Sequence, residues 1–164
     1  MKHRLRDLFV LLVACSALGQ ARDVFIGPGS SIEDAIQKAG PGGRVLLLAG
    51  QYLIQRPIQI AFSITITQDP RQAPGSVQIR GGNANLPIFI SNGVNDISIT
   101  GLYFVPVSGV AGADHRGQGA LVWQAVKGSG LTFRNNRVYN FRSGLQAVNC
   151  NQVTNSDNVI SGGQ

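Results

Sequence analysis

An all-β solenoid, built from stacked coils of about 22 residues and opened by one short helix, is the fold class this sequence predicts. Three observations carry it. The 164-residue chain is poor in charge (13%) and rich in Gly (21 residues), which suits strands joined by many turns better than a helix bundle. A single good helix pattern occurs near the N-terminus, and strand patterns follow it to the end. In the second half the same apolar columns recur at fixed spacing.

Residues 1–21 read as an export signal rather than as fold. Lys2, His3, Arg4 and Arg6 form a basic start, and Leu8–Leu18 an apolar stretch too short to span a membrane. Gly19–Ala21 then offers small residues at a cleavage position. A second reading stays open: Leu12–Cys15 (LVAC) resembles the bacterial lipobox, whose Cys is lipid-modified and becomes the first mature residue. Ser16 after it would imply sorting to the outer membrane. The chain is therefore expected to be secreted or periplasmic, or an outer-membrane lipoprotein that meets the membrane only through Cys15. Either route leaves Cys150 unpartnered, so no intrachain disulfide is expected and Cys150 reads as a small buried hydrophobe. Removing residues 1–21 takes away three of the 14 basic residues and one of the 8 acids, leaving a net charge of about +4.

The remainder, 22–164, reads as one domain. Ser30 and Glu33 stand as S-x-x-E, the spacing of a capping box with Ser30 as cap. Ile32, Ala35, Ile36 and Ala39 share one helical face, and Gly40-Pro41 ends the helix. A strand at Val45–Leu48 follows at once.

The repeat is clearest when NDISITGLYF (95–104), SGLTFRNNRV (129–138) and NQVTNSDNVI (151–160) are aligned. Ile97, Leu131 and Val153 share a column, as do Phe104, Val138 and Ile160. Phe89, Trp123 and Leu145 form another, with Ser91, Ala125 and Ala147 as a small-residue column beside it. Asn95, Ser129 and Asn151 form a polar column. The last two copies lie 22 residues apart and the earlier pair 34, the difference falling in the Gly-rich, aperiodic segment Val105–Ala120. One such coil cannot bury its apolar side alone, so coils must stack and turn each column into a ladder. Asn136 above Asn158, and Asn135 beside Asp157, suit corners that need left-handed backbone and side-chain amides bonded from coil to coil.

This arrangement resembles the right-handed parallel β-helix of the pectin-lyase-like superfamily over Val24–Gln164. The most specific part is SSIEDAIQKAGPGGRVLLLAGQY (30–52), similar to the opening of many such proteins: a helix, a P-G-(D/G)-x-V strand and a G-x-Y turn. The resemblance implies that the helix caps the open apolar end of the first coil. It also implies an exported protein that acts on acidic polysaccharide as a lyase or epimerase, or a non-catalytic β-helix that binds glycans or serves as a surface or periplasmic scaffold. Ca²⁺ enters by this analogy alone. The chain stops at SGGQ after about five coils and is expected to be truncated at its C-terminus.

The residues themselves are less generous. Uronate lyases need a base and a positive charge to stabilise an enolate, whereas glycosidases need paired carboxylates. After residue 21 there are one Glu and six Asp; Asp96, Asp114 and Asp157 are far apart in coil phase, so neither a carboxylate pair nor a Ca²⁺ cluster is evident. Basic residues are better placed. Arg116, Lys127, Arg134, Arg137, Tyr139 and Arg142 are candidates for binding an acidic glycan, and His115, Arg134 and Arg137 for catalysis. Their plainer reading is as solvated corner residues. Trp123 and Tyr103 could stack on sugars, but the Phe89–Trp123–Leu145 column favours packing. No phosphate loop follows the GPGS and GPGG turns, and no basic-aromatic interleaving suggests nucleic acid. The chain is expected to act as a monomer.

Overall fold

The computed structural model describes residues 21–81, 86–107 and 121–162. Residues 1–20 with Cys15, and Asp114, His115 and Arg116, lie outside the described residues. Three parallel sheets make up the body. Sheet A holds β1 (Asp23–Ile26), β2 (Gly43–Leu47), β5 (Ile64–Gln68), β8 (Ile97–Thr100), β11 (Ser129–Arg134) and β14 (Asn151–Ser156), in that spatial order. Sheet B runs β3 (Gly50–Ile54), β6 (Val77–Gly81), β9 (Tyr103–Val105), β12 (Arg137–Tyr139) and β15 (Val159–Ser161). Sheet C runs β4 (Ile58–Ile60), β7 (Phe89–Asn92), β10 (Leu121–Val126) and β13 (Ser143–Val148). The chain visits A, B and C in rotation, and every strand pairs in parallel with its counterpart one coil on. This is an all-β parallel β-helix.

The single helix, α1 (Ile32–Ala39), buries the four residues of the expected face: Ile32, Ala35, Ile36 and Ala39. It packs on β1, β2 and β4, so β1 and α1 together form a layer over the first coil. The expected cap is off by one residue. Ser31, in extended conformation, is the N-cap and accepts from the Asp34 N–H at 3.1 Å. Ser30 instead closes a turn onto the Gly27 carbonyl, and Glu33 pairs with Arg56 at 3.0 Å rather than reaching back. Two adjacent serines make the register of such a cap ambiguous until the preceding turn is known. The G-x-Y turn anchors this layer: the Tyr52 hydroxyl lies 2.8 Å from both the Ile26 and Leu48 carbonyl oxygens, sharing its proton between them. Burial pushes its ionisation upward. Gly50 has φ 135°, and a Cβ there would stand 2.2 Å from Pro28, so only glycine fits.

The columns stack as the repeat predicts. Phe89, Trp123 and Leu145 are in register, as are Phe104, Val138 and Ile160. Trp123 is fully buried and donates Nε1–H to Ser91 Oγ at 3.0 Å, which makes it core rather than a sugar platform. Phe104 stacks on Phe133 with centroids 6.1 Å apart, and Phe89 meets Phe104 edge-on. At the corners, residues with positive φ stack on one another: Gly93, Lys127 and Asn149; Asp96, Gly130 and Gln152; Gly101, Asn135 and Asp157. The asparagine ladder is explicit. Asn136 Oδ1 accepts from Leu102 N and its Nδ2 donates to Ile99 O; Asn158 repeats both bonds one coil on, with Asn136 N and Phe133 O.

One burial expectation fails. Ile97 and Leu131 are fully buried, but Val153 is 38% exposed although it stands in register with Leu131. Val159 and Ile160 are exposed too, because no described coil stacks on β14 and β15. Cys150, on that same final coil, is half-buried rather than buried, its Sγ accepting from Gly128 N at 3.4 Å. Position in the stack, not residue type, decides burial. Leu131→Ala should therefore cost about 2–5 kcal/mol and Val153→Ala about 1 kcal/mol or less in urea unfolding. Equal costs would contradict this ladder.

Candidate functional site

Coil length varies at the loops, not in the strands. The A-to-B connection is short where the asparagine ladder runs, but between β5 and β6 it expands into a loop over 69–76. This loop walls a groove of about 520 Å³ whose floor is the A-to-B corner of the next coils. Thr67, Thr100, Gly101, Asn135, Arg137 and Asp157 line it on the coil side.

The wall is held by its own polar side chains. Gln68 Nε2 donates to the Gln72 and Ala73 carbonyls at 3.2 and 2.6 Å, and its Oε1 accepts from Gly75 N at 3.1 Å. Asp69 is 1% exposed and receives the Arg71 backbone N–H, Nε and Nη2, the last at 2.7 Å. Those bonds hold the Asp69 carboxyl below its ordinary range and raise Arg71 correspondingly. Arg71 also lies over the Phe25 ring, 5.1 Å from its centroid, which ties the wall to β1.

The predicted site residues are dispersed around the coil. Arg134 ends β11 on sheet A and binds Asp157, Nε to Oδ2 at 3.0 Å, with both side chains about half exposed. Arg137 opens β12 across the same corner, faces outward, and has no ion pair among the described residues. Its guanidinium reaches the wall, where a Cβ on Gly75 would lie 3.9 Å from Nη1. Tyr139 is 48% exposed, two residues further along the same face of sheet B. Lys127 is exposed at the C-to-A corner and Arg142 at the B-to-C corner. The structure thus places Arg137 in the groove lining and Arg134 beside it through Asp157, and leaves Lys127 and Arg142 at the other two corners. Residues 108–120, with His115 and Arg116, belong to the connection from β9 to β10.

Sequence reading missed Thr67, Thr100, Gln68 and Asp69. A signal existed: in ITITQ and ISIT the outward positions carry hydroxyls while the inward ones are isoleucine. Nothing in that pattern says which outward face meets a loop.

Chemically the groove offers hydroxyls, amides and one unpaired cation. Both of its carboxylates are engaged, Asp69 by Arg71 and Asp157 by Arg134 and Ser156 Oγ. Among the described residues no three His, Cys, Asp or Glu side chains converge, so these residues do not fit a Ca²⁺ site.

No family model matches the chain, and no curated protein matches it. Among solved structures, an arginine-to-alanine mutant of AlyGC, a PL6 family alginate lyase, is similar with a TM-score of 0.60 at 17% identity. The match covers 89% of this chain and 21% of that one, so the chain spans about a fifth of that enzyme's length. At this identity the likeness is one of fold alone, a parallel β-helix.

The Asp69–Arg71 pin has a pH signature. Because Asp69 is held below its ordinary range, the pin is complete at neutral pH and through that range, and is lost only as pH falls below it. Amide protection at Arg71, Gln72 and Gly75, taken relative to the intrinsic exchange rate at each pH, should hold from pH 7 to about pH 4 and fall only in stronger acid. Asp69→Asn should show the reduced protection already at pH 7.

Proposed function

We propose that this chain is part of an exported β-helix protein directed at acidic polysaccharide, the N-terminal portion of a pectate-lyase-like lyase or epimerase. In this proposal the A-to-B groove holds the glycan. The observation that carries it is Arg137: an exposed guanidinium without an ion pair among the described residues, set in a groove of hydroxyls and amides. A guanidinium presents a planar fork to a carboxylate, and a uronate chain supplies a carboxylate on every sugar. Thr67, Thr100 and Asn135 supply donors and acceptors for sugar hydroxyls around it. The lyase-type fold of the structural neighbour supports the substrate class.

A specific observation favours the second reading, a non-catalytic glycan binder, for these residues taken alone. Proton abstraction beside a uronate carboxylate needs a base, and both groove acids are already held by arginine. In the enzymatic version His115 is the candidate base.

Polyguluronate or polygalacturonate should bind more tightly than a neutral glucan, and the difference should shrink as salt rises, since exposed charges are screened within about 8 Å at physiological ionic strength. Arg137→Ala should weaken polyuronate binding by about threefold to tenfold, as expected for one exposed charge contact. Equal binding of neutral glucan would overturn the proposal. Absorbance from unsaturated uronate products separates lyase from binder.

A further inference from the structure

The outward side of sheet A is unusually uniform. From β2 to β14 it presents ten outward positions in two columns, and seven are hydroxyl residues. One column runs Arg44, Thr65, Ser98, Thr132, Thr154; the other runs Leu46, Thr67, Thr100, Arg134, Ser156. Successive rungs are one strand spacing apart, about 4.7–4.9 Å, and the columns are two residues apart along each strand. The rungs touch: Thr100 Oγ1 donates to Thr67 Oγ1 at 3.0 Å. Leu46, beside Phe25 and its overlying Arg71, is buried and closes one end of the second column. Thr67 and Thr100 also line the groove, so the ladder and the groove are one continuous surface with the 69–76 loop as its side wall.

We infer that this hydroxyl ladder is a track for an extended 1,4-linked uronate chain lying parallel to the helix axis, with one sugar per coil. The inference rests on the glycan reading of the groove. An extended pyranose chain advances by about one strand spacing per sugar, so successive sugars meet equivalent hydroxyls on successive coils. Threonine and serine hydroxyls both donate and accept, as sugar hydroxyls do, and β-branched threonine is stiff about χ1, which lowers the ordering cost. The wall and Arg137 at its foot break the flatness that docking of a crystalline face would require, and they set the acidic edge of the chain on the groove side.

The test uses uronate oligosaccharides of two to eight sugars, titrated calorimetrically into residues 22–164 and into a Thr65→Val/Thr132→Val double variant. Valine keeps the shape and strand preference and removes only the hydroxyls. Affinity for the unaltered chain should rise with length and level off at about four sugars, one for each rung of the Thr65–Thr154 column. The double variant should lose about fivefold for the tetramer and little for the dimer, with its thermal midpoint unchanged; Thr65→Ser/Thr132→Ser should retain binding. Arg137-dependent binding that ignores both length and the valines would overturn the track and leave the groove standing. Binding of an insoluble neutral glucan abolished by the valines but indifferent to Arg137→Ala would overturn the uronate assignment. Absence of any uronate binding would overturn the glycan reading, and the track with it.

Discussion

Everything in this protein depends on coil-to-coil register. A single turn of three short strands has an apolar side too small to be stable alone, and its backbone donors and acceptors point up and down the stack rather than within the coil. Each coil is therefore completed by its neighbours, through parallel ladders in all three sheets and through like-on-like side-chain columns. A one-residue slip would turn Ile64, Ile66, Ile97, Ile99 and Leu131 outward together, so the hydrophobic pattern permits one register.

The corners preserve that register while the sheets change direction. Left-handed residues stacked at three corner positions let the chain turn sharply in few residues, at positions where glycine, asparagine and aspartate carry the least steric cost. Asn136 and Asn158 then satisfy backbone groups of the coil beneath that the turn would otherwise leave unpaired. Because the asparagine side chain does the work of a strand residue, the A-to-B corner stays narrow. The groove forms where one coil departs from this economy and inserts the 69–76 loop.

The groove also separates paired charges from an unpaired one. Asp69 and Arg71 are consumed in holding the wall, and Arg134 and Asp157 in pairing across adjacent coils, so these charges serve the scaffold. Arg137 stands on the other side of the same corner with its guanidinium toward solvent and the wall. A ligand carboxylate meeting it displaces no protein partner among the described residues. The two arginines are three positions apart in sequence, yet only Arg134 is ion-paired among the described residues, because the corner between them carries one onto sheet A and the other onto sheet B.

The sequence by itself determined the coil, the N-terminal helix and the columns. Apolar alternation, the 22-residue spacing and the amphipathic stretch 32–39 are local or periodic properties, and they specify which residues face inward wherever a coil lies in the stack. Only the tertiary structure decided how deeply each rung is buried and which polar residues meet. Val153 carries the same signal as Leu131 but has no described coil above it, and Ser30 carries the same signal as Ser31 but is held by the preceding turn. The dispersal of Lys127 and Arg142 to separate corners, and the meeting of Thr67 and Thr100 with a loop from one coil and Arg137 from another, depend on stacking between residues up to 70 positions apart. No local pattern encodes such a meeting, because it is set by where an insertion falls relative to the stack and not by the inserted residues themselves.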